Sequence, residues 1–321
     1  MKKCVRCSLC KMVPMPTIQQ TKFISACPPV DTYHFHAYSG GGISVMALAL
    51  LDGRIKVDSY LAKIVSACTS CGMCDVSCKF IMAAGRQEII IALKEELFNQ
   101  GFGPKEEEET RDPLPHFATG LNLKILPKDQ AKILLIVGAD TKYSKQHAST
   151  ARKLATLLQA AKVDFGILEG DEPPIGINAY WTGNRKKFSE QAHKAVSTIT
   201  NSGAKTIITL DGEDFGMLRS KYPHYGFDFN IEVFHASQFL LTLIKKKKIK
   251  LPNAITKTVT YHDPCYLGRQ SDPIQQWEGD ELQTHGVMRY FSPPKPINFG
   301  TNGVYDEPRS ILQSIKGLRY R

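Results

Sequence analysis

Eight of the nine cysteines in this 321-residue chain fall before residue 80, and that concentration limits what the region can fold into more than any other feature. A short stretch so rich in thiols must be organised by whatever its sulfurs bind. Disulfides are a poor account of it. The start, Met1-Lys2-Lys3-Cys4, lacks the apolar stretch of a signal peptide, and no apolar run approaches the roughly 18 residues that span a bilayer. The expected compartment is the cytoplasm, where thiols stay reduced, and closely spaced thiols there point to metal.

The spacing sharpens this expectation. Cys68-x2-Cys71-x2-Cys74-x3-Cys78 is a loop that aims three thiolates at one 4Fe-4S cubane and sends the fourth elsewhere. Cys4-x2-Cys7-x2-Cys10 repeats the three-ligand loop, but Pro14 stands where a fourth cysteine would follow, and Cys27, before Pro28, supplies it. In two-cluster ferredoxins the last cysteine of each run ligates the other cluster. One cubane would then take Cys4, Cys7, Cys10 and Cys78, and the second Cys68, Cys71, Cys74 and Cys27. Local pairing, with Cys27 and Cys78 exchanged, stays open. Zinc competes for four thiolates, but its motifs usually pair two Cys-x-x-Cys knuckles, and three thiolates on one short loop suit the irons of a cubane better. Val5, Leu9, Met12, Met73, Val76 and Phe80 lie between the ligands, where they would exclude water or simply form the core.

A formal charge of +10 raises the question of nucleic acid. The Lys and Arg residues are spread along the chain, and only Lys245 to Lys250 approaches a basic block, which reads as the solvated end of a helix. Thiolate-held clusters also carry negative charge that a formal count omits, so the excess cation is expected to balance clusters and attract an acidic protein partner. The pattern along the chain predicts an α+β multidomain architecture. A small helical ferredoxin-like two-cluster domain covers 1–103, with helices at Ile43 to Leu51 and Ile81 to Phe98 and a Gly-rich elbow at Ser39 to Gly42. A linker follows over 104–130, marked by Glu106 to Glu109 and by Pro113, Pro115 and Pro127. An α/β domain with a mostly parallel sheet covers 131–321. Its predicted strands are Lys132 to Val137, Asp164 to Leu168, Thr206 to Leu210, Ile231 to His235 and Thr258 to His262. The helices between them are His147 to Ala161, Arg185 to Asn201, Phe215 to Lys221 and Ser237 to Lys245. Gln270 to Gly303 shows no period, and Glu307 to Ile315 is helical again.

Taken together, CVRCSLC, ISACPPVDTYHFHAYSGGG, LLDGRI, CTSCGMCDVSC, TYHDPCYLGR and YDEPRSILQSIKG resemble the heterodisulfide reductase type iron-sulfur oxidoreductases with a Cys-Cys-Gly domain. The resemblance implies single-electron transfer within a multisubunit redox complex, beside a flavoprotein or a membrane haem protein, with a flavoprotein as the expected partner; the lack of a long apolar run leads to the expectation of no direct membrane insertion. In that family the C-terminal domain has up to two repeats that can hold a non-cubane cluster on a lone Cys, a Cys-Cys-Gly and a Cys-x-x-Cys. At the matching places the first repeat here has Gly138-Ala139, Pro173-Pro174-Ile175 and Asp211-Gly212-Glu213-Asp214, so no cluster is expected there. The second repeat offers Cys265 alone, which is either a relic or a ligand completed by another chain or by further sequence; the last two would make the chain a disulfide- or quinone-reducing subunit. A third possibility is an adaptor with static clusters. His262 and Asp263 beside Cys265 do not suggest a catalytic thiol, because sequence neighbours at a strand end rarely meet. Asp211 and Asp214 read as helix-capping residues before an acid-base pair or a magnesium site. Ser39 to Gly42 lacks the spacing of a dinucleotide loop.

Overall fold

The computed structural model describes residues 4, 6–13, 24–82, 85–105, 110–170, 172–275, 277–285 and 288–320, without the side chains of 80–82, 283–285, 288 and 289. Val5, the Phe80 side chain and the run Glu106 to Glu109 lie outside the described residues. The chain forms two compact units. The first comprises Met1–Glu106, Asn178–Phe188 and Pro273–Thr301; the second comprises Glu107–Ile177, Ser189–Asp272 and Asn302–Arg321. Among the described residues no helix is long and apolar enough to cross a membrane.

The first unit is helical around its cysteines. Helix α1 (Pro28–Tyr33) opens with two prolines directly after Cys27, where their fixed φ suits a first turn. Helix α2 (Gly40–Leu51) is capped by Ser39, which accepts the Gly42 N–H at 3.0 Å. The predicted elbow at Ser39 to Gly42 is therefore the cap and first turn of this helix. The reason is packing: a Cβ on Gly42 would lie 2.2 Å from the His36 carbonyl oxygen. Asp58 caps α3 (Ser59–Ser66) by accepting the Leu61 N–H at 2.8 Å. The predicted helix from Ile81 to Phe98 is two helices, α4 (Met73–Met82) and α5 (Gln87–Asn99). Asp75 in α4 accepts the backbone N–H groups of Arg86 and Gln87, which gives α5 a start of its own. Ile43, Ala47, Leu61, Val65, Ile90, Leu93 and Leu97 close the core between α2, α3 and α5.

The second unit is built on β1 (Lys124–Leu126), β2 (Ile133–Ile136), α6 (Lys145–Ala160), β3 (Phe165–Leu168), α7 (Ile177–Thr182), α8 (Arg185–Asn201), β4 (Thr206–Thr209), α9 (Gly212–Gly216), α10 (Tyr222–His224), β5 (Glu232–His235) and α11 (Ala236–Lys245), of which α7 and α8 straddle the division between units. Five strands pair in the order β1-β3-β2-β4-β5, all parallel. Central Leu134, paired with Gly166 on one side and Ile207 on the other, is fully buried, as the continuous apolar strands demand. β1 lies within the stretch expected to be a linker; Phe117 and Leu126 are buried there, and the apolar pair Ile125-Leu126 completes the sheet edge. The helix predicted over Phe215 to Lys221 is longer, running from α9 through a π-helical turn at Met217–Lys221 into α10. Lys245 to Lys248, at the end of α11, are exposed.

The final strand of the prediction shrinks. Only β6 (Thr258–Val259) forms, and it pairs with β9 (Arg319–Tyr320) instead of joining the main sheet. Within the stretch that shows no period, β7 (Asp280–His285) and β8 (Met288–Ser292) make an antiparallel hairpin. There Trp277 meets Phe291 edge-on at 5.5 Å. Helix α12 (Asp306–Ser314) matches the last predicted helix.

Candidate metal centre

Two sets of thiols emerge from the elements of the first unit. Cys10 sits in a short 3-10 turn (Leu9–Lys11) after a loop wound tightly enough to place Arg6 and Ser8 at φ 57° and 66°. Cys4, Cys7 and Cys10 from this loop, and Cys78 from α4, line one pocket together with His36, Gly41 and Arg86. Gly41 donates its backbone N–H to Cys10 Sγ at 3.3 Å, and a Cβ on Gly41 would stand 2.9 Å from that sulfur. Arg86 Nε donates to Cys78 Sγ at 2.9 Å.

The second loop is wound the same way, with Ser70 and Gly72 at φ 54° and 71°. It carries Cys68 and Cys71 and leads into α4, where Cys74 stands. Cys27, just ahead of α1, shares their surroundings. Burial pushes its thiol up to about 11, the Val30 N–H opposes this, and Cys68 and Cys71 add to the rise, with Cys10 last. Cys74 is raised well above the ordinary thiol range by burial first, then by Asp75, Cys68, Cys71 and Cys10. Burial likewise raises Cys68, against the pull of Lys94. Lys94 is itself buried, with Nζ donating to the Cys68 carbonyl at 2.9 Å and to Ser70 Oγ at 3.0 Å. A Cβ on Gly40 would come within 2.8 Å of Cys74 Sγ.

This donor set fits iron-sulfur clusters. Buried thiols at raised pKa become thiolates only beside a positive core, N–H donors already point at two of the sulfurs, and glycines stand where any side chain would meet sulfur. Among the described residues no three His, Cys, Asp or Glu side chains close on one point as the ligands of a single ion do. Sequence reading missed Arg86, Lys94 and Gly41. Only the glycine had a signal, in the triplet ahead of an apolar helix.

The second unit differs at the places where the resemblance expects ligands. Gly138 follows β2 at φ 88°, a conformation suited to glycine, with Asp214 Oδ2 3.3 Å and Asp211 Oδ2 3.8 Å from where a Cβ would be. Asp211 caps α9 by accepting the Glu213 N–H at 2.6 Å, the role its place at a strand-to-helix turn suggested. Glu172 accepts the N–H groups of Val137 and Gly138 at 3.0 and 2.9 Å. Even so, burial outweighs those bonds and pushes its carboxyl up to about 7. Glu213 also rises to about 7, through burial and then Asp211 and Asp140. Asp214 rises through burial first, then Asp211, Glu172, Glu213 and Asp140. Cys265 lies in a turn whose Tyr266 and Leu267 pack against Gly216 and Gly212 of α9. Its Sγ accepts from Arg269 Nη2 at 2.9 Å. Asp263 is bound by Arg309 at 2.5 Å.

Residues 1–82 match the 4Fe-4S dicluster domain family. Over 307 residues the chain is 27% identical to the probable iron-sulfur-binding oxidoreductase FadF of Bacillus subtilis, covering 88% of this chain and 39% of that protein. It is 26% identical over 279 residues to one subunit of the dihydromethanophenazine:CoB--CoM heterodisulfide reductase of Methanosarcina mazei, covering 80% of this chain and 58% of the relative. Over 197 residues it is 27% identical to the EtfAB:quinone oxidoreductase of Syntrophomonas wolfei, covering 61% of this chain and 23% of the relative. The chain thus spans at most 58% of these relatives' length. No solved structure is significantly similar.

Proposed function

We propose that this chain, which is similar to heterodisulfide reductase type iron-sulfur proteins, is the electron-transfer subunit of a cytoplasmic oxidoreductase complex, relaying single electrons through two 4Fe-4S cubanes. The observation that carries this reading is the gathering of Cys4, Cys7, Cys10 and Cys78 around one pocket, while Cys27 shares the surroundings of Cys68, Cys71 and Cys74. These are the crossed ligand sets in which each three-cysteine loop borrows its fourth thiolate from the other run.

When bound, each cluster accepts and returns one electron on its irons. The chain's own part is to place and tune. α4 supplies Cys74 to one set and Cys78 to the other, so one short helix fixes the spacing between the two. Gly40 and Gly41 let α2 approach the sulfurs closely. The Gly41 and Arg86 N–H groups stabilise thiolate charge and so favour the reduced state, and the buried faces of α2 and α5 keep water away. The relatives' names support the complex: one is named as part of a heterodisulfide reductase and another as an EtfAB:quinone oxidoreductase. For this chain a flavoprotein is the proposed electron-exchange partner.

No cluster is proposed in the second unit, where carboxylates and prolines occupy the ligand places and Cys265 offers one thiol. A redox titration of the anaerobic protein, followed by electron paramagnetic resonance, tests the relay. Two cubane signals that appear and vanish reversibly support it, whereas clusters that no reductant can reduce would make them static staples and end the relay reading.

A further inference from the structure

Arg86 is 1% exposed, among the most completely buried large side chains of the described residues. An arginine inside a small unit needs a strong reason, because an unpaired guanidinium is costly to bury. Three observations supply one. Its Nε donates to Cys78 Sγ at 2.9 Å. Its Nη1 is buried with no hydrogen-bond partner among the described residues. Its side chain also lines the pocket shared by Cys4, Cys7, Cys10 and Cys78. Asp75 anchors the residue by accepting its backbone N–H, from the turn of α4 that lies between Cys74 and Cys78.

The other thiol set has a different cation. Lys94 Nζ spends its hydrogen bonds on the Cys68 carbonyl and Ser70 Oγ, so it contributes charge nearby without donating to a ligand sulfur. The two sites are chemically unequal.

Resting on the two-cluster reading above, we infer that Arg86 is the positioning residue that sets the potential of the Cys4/Cys7/Cys10/Cys78 cluster. Its Nε binds the Cys78 thiolate, and Nη1, without a partner among the described residues, is the donor reserved for the cluster itself. Hydrogen bonds and positive charge at cluster sulfur favour the reduced state. This cluster is therefore the first of the two to take an electron.

The test is a potentiometric titration, read by electron paramagnetic resonance, of the full anaerobic chain as wild type, Arg86→Gln and Arg86→Lys. With iron and sulfide unchanged, Arg86→Gln moves the higher of the two midpoint potentials downward and leaves the lower in place; Arg86→Lys, which keeps the charge but loses the planar fork, gives a smaller shift. Alongside it, wild-type protein labelled with 15N-arginine shows nitrogen coupling on the first-reduced cluster in pulsed resonance spectra. Unshifted potentials in Arg86→Gln, or no arginine nitrogen coupling in the wild type, overturn the inference while leaving two working clusters. Should Arg86→Gln lose iron, the labelled wild type decides alone. Absence of any cubane signal in the wild type would instead overturn the two-cluster reading on which it rests.

Discussion

The two units of this chain treat buried ligand positions in opposite ways. In the first, eight thiols stand on two tightly wound loops, just ahead of α1 and along α4, with N–H donors at the Cys10 and Cys78 sulfurs and glycines beside those of Cys10 and Cys74. In the second, Gly138, Glu172, Asp211 and Asp214 crowd the ends of β2 and β4, where the family resemblance expects thiolates, and burial, joined at Glu213 and Asp214 by neighbouring carboxylates, holds three carboxyls at raised pKa. One arrangement makes sense with metal bound; the other gathers buried acids at the ends of its strands. The contrast teaches that a parallel sheet is held by its own apolar core, whereas a helical unit wound around thiols has far less hydrocarbon to fall back on.

Removing a ligand should separate the units most sharply. Cys74→Ser is expected to release one cluster, cutting iron from about eight to about four per chain, and to loosen α3 to α5 while β2 and β4 stay protected in hydrogen exchange; equal loss of protection in both units would break the contrast. Next in size is Gly41→Ala, whose new methyl would stand 2.9 Å from Cys10 Sγ. It should lower iron occupancy of the first site several-fold. Gly85→Ala, which meets nothing closer than 3.6 Å, should bind iron like the wild type.

The acid-rich unit answers to pH. Glu172, at about 7 when folded against about 4.3 when unfolded, holds its proton more tightly in the native state. Its contribution is complete at low pH and is lost as pH rises from the unfolded value to about 7. Protection of β2 and β4 amides, corrected for intrinsic exchange, should fall between pH 5 and pH 8 by an amount on the order of 2 kcal/mol, and Glu172→Gln should flatten that slope. A rise in protection over the same interval would show the carboxylate to be the stabilising form. Smallest of all, Tyr222→Phe removes the bond from a buried hydroxyl to the Ile175 carbonyl at 2.9 Å. Urea unfolding of the second unit should report a loss of about 1 to 2 kcal/mol, with iron content untouched.

Much of this was legible in the residues, and the failures have physical causes. Cysteine spacing marked the thiol-rich unit because few chemistries need that pattern. The apolar runs at Leu134 to Val137 and Ile207 to Thr209 announced buried parallel strands by lacking any alternation. β1 was hidden because three residues between prolines carry too little pattern to outweigh the punctuation around them. α4 and α5 looked like one helix because the periodicity continues through the break, and only the carboxylate of Asp75, bonded to the backbone of Arg86 and Gln87, shows where the second begins. Arg86 and Lys94 were missed for a simpler reason. A cation in a helix, like Lys94, or just ahead of one, like Arg86, usually faces solvent, and nothing local distinguishes one buried beside a thiol set.

Whether two cubanes occupy the thiol sets of the first unit is decided by counting iron and acid-labile sulfide on anaerobically purified protein and recording its reduced-state paramagnetic spectrum. Two cubanes give about eight of each per chain with two interacting cubane signals; zinc without sulfide at the same cysteines would contradict them.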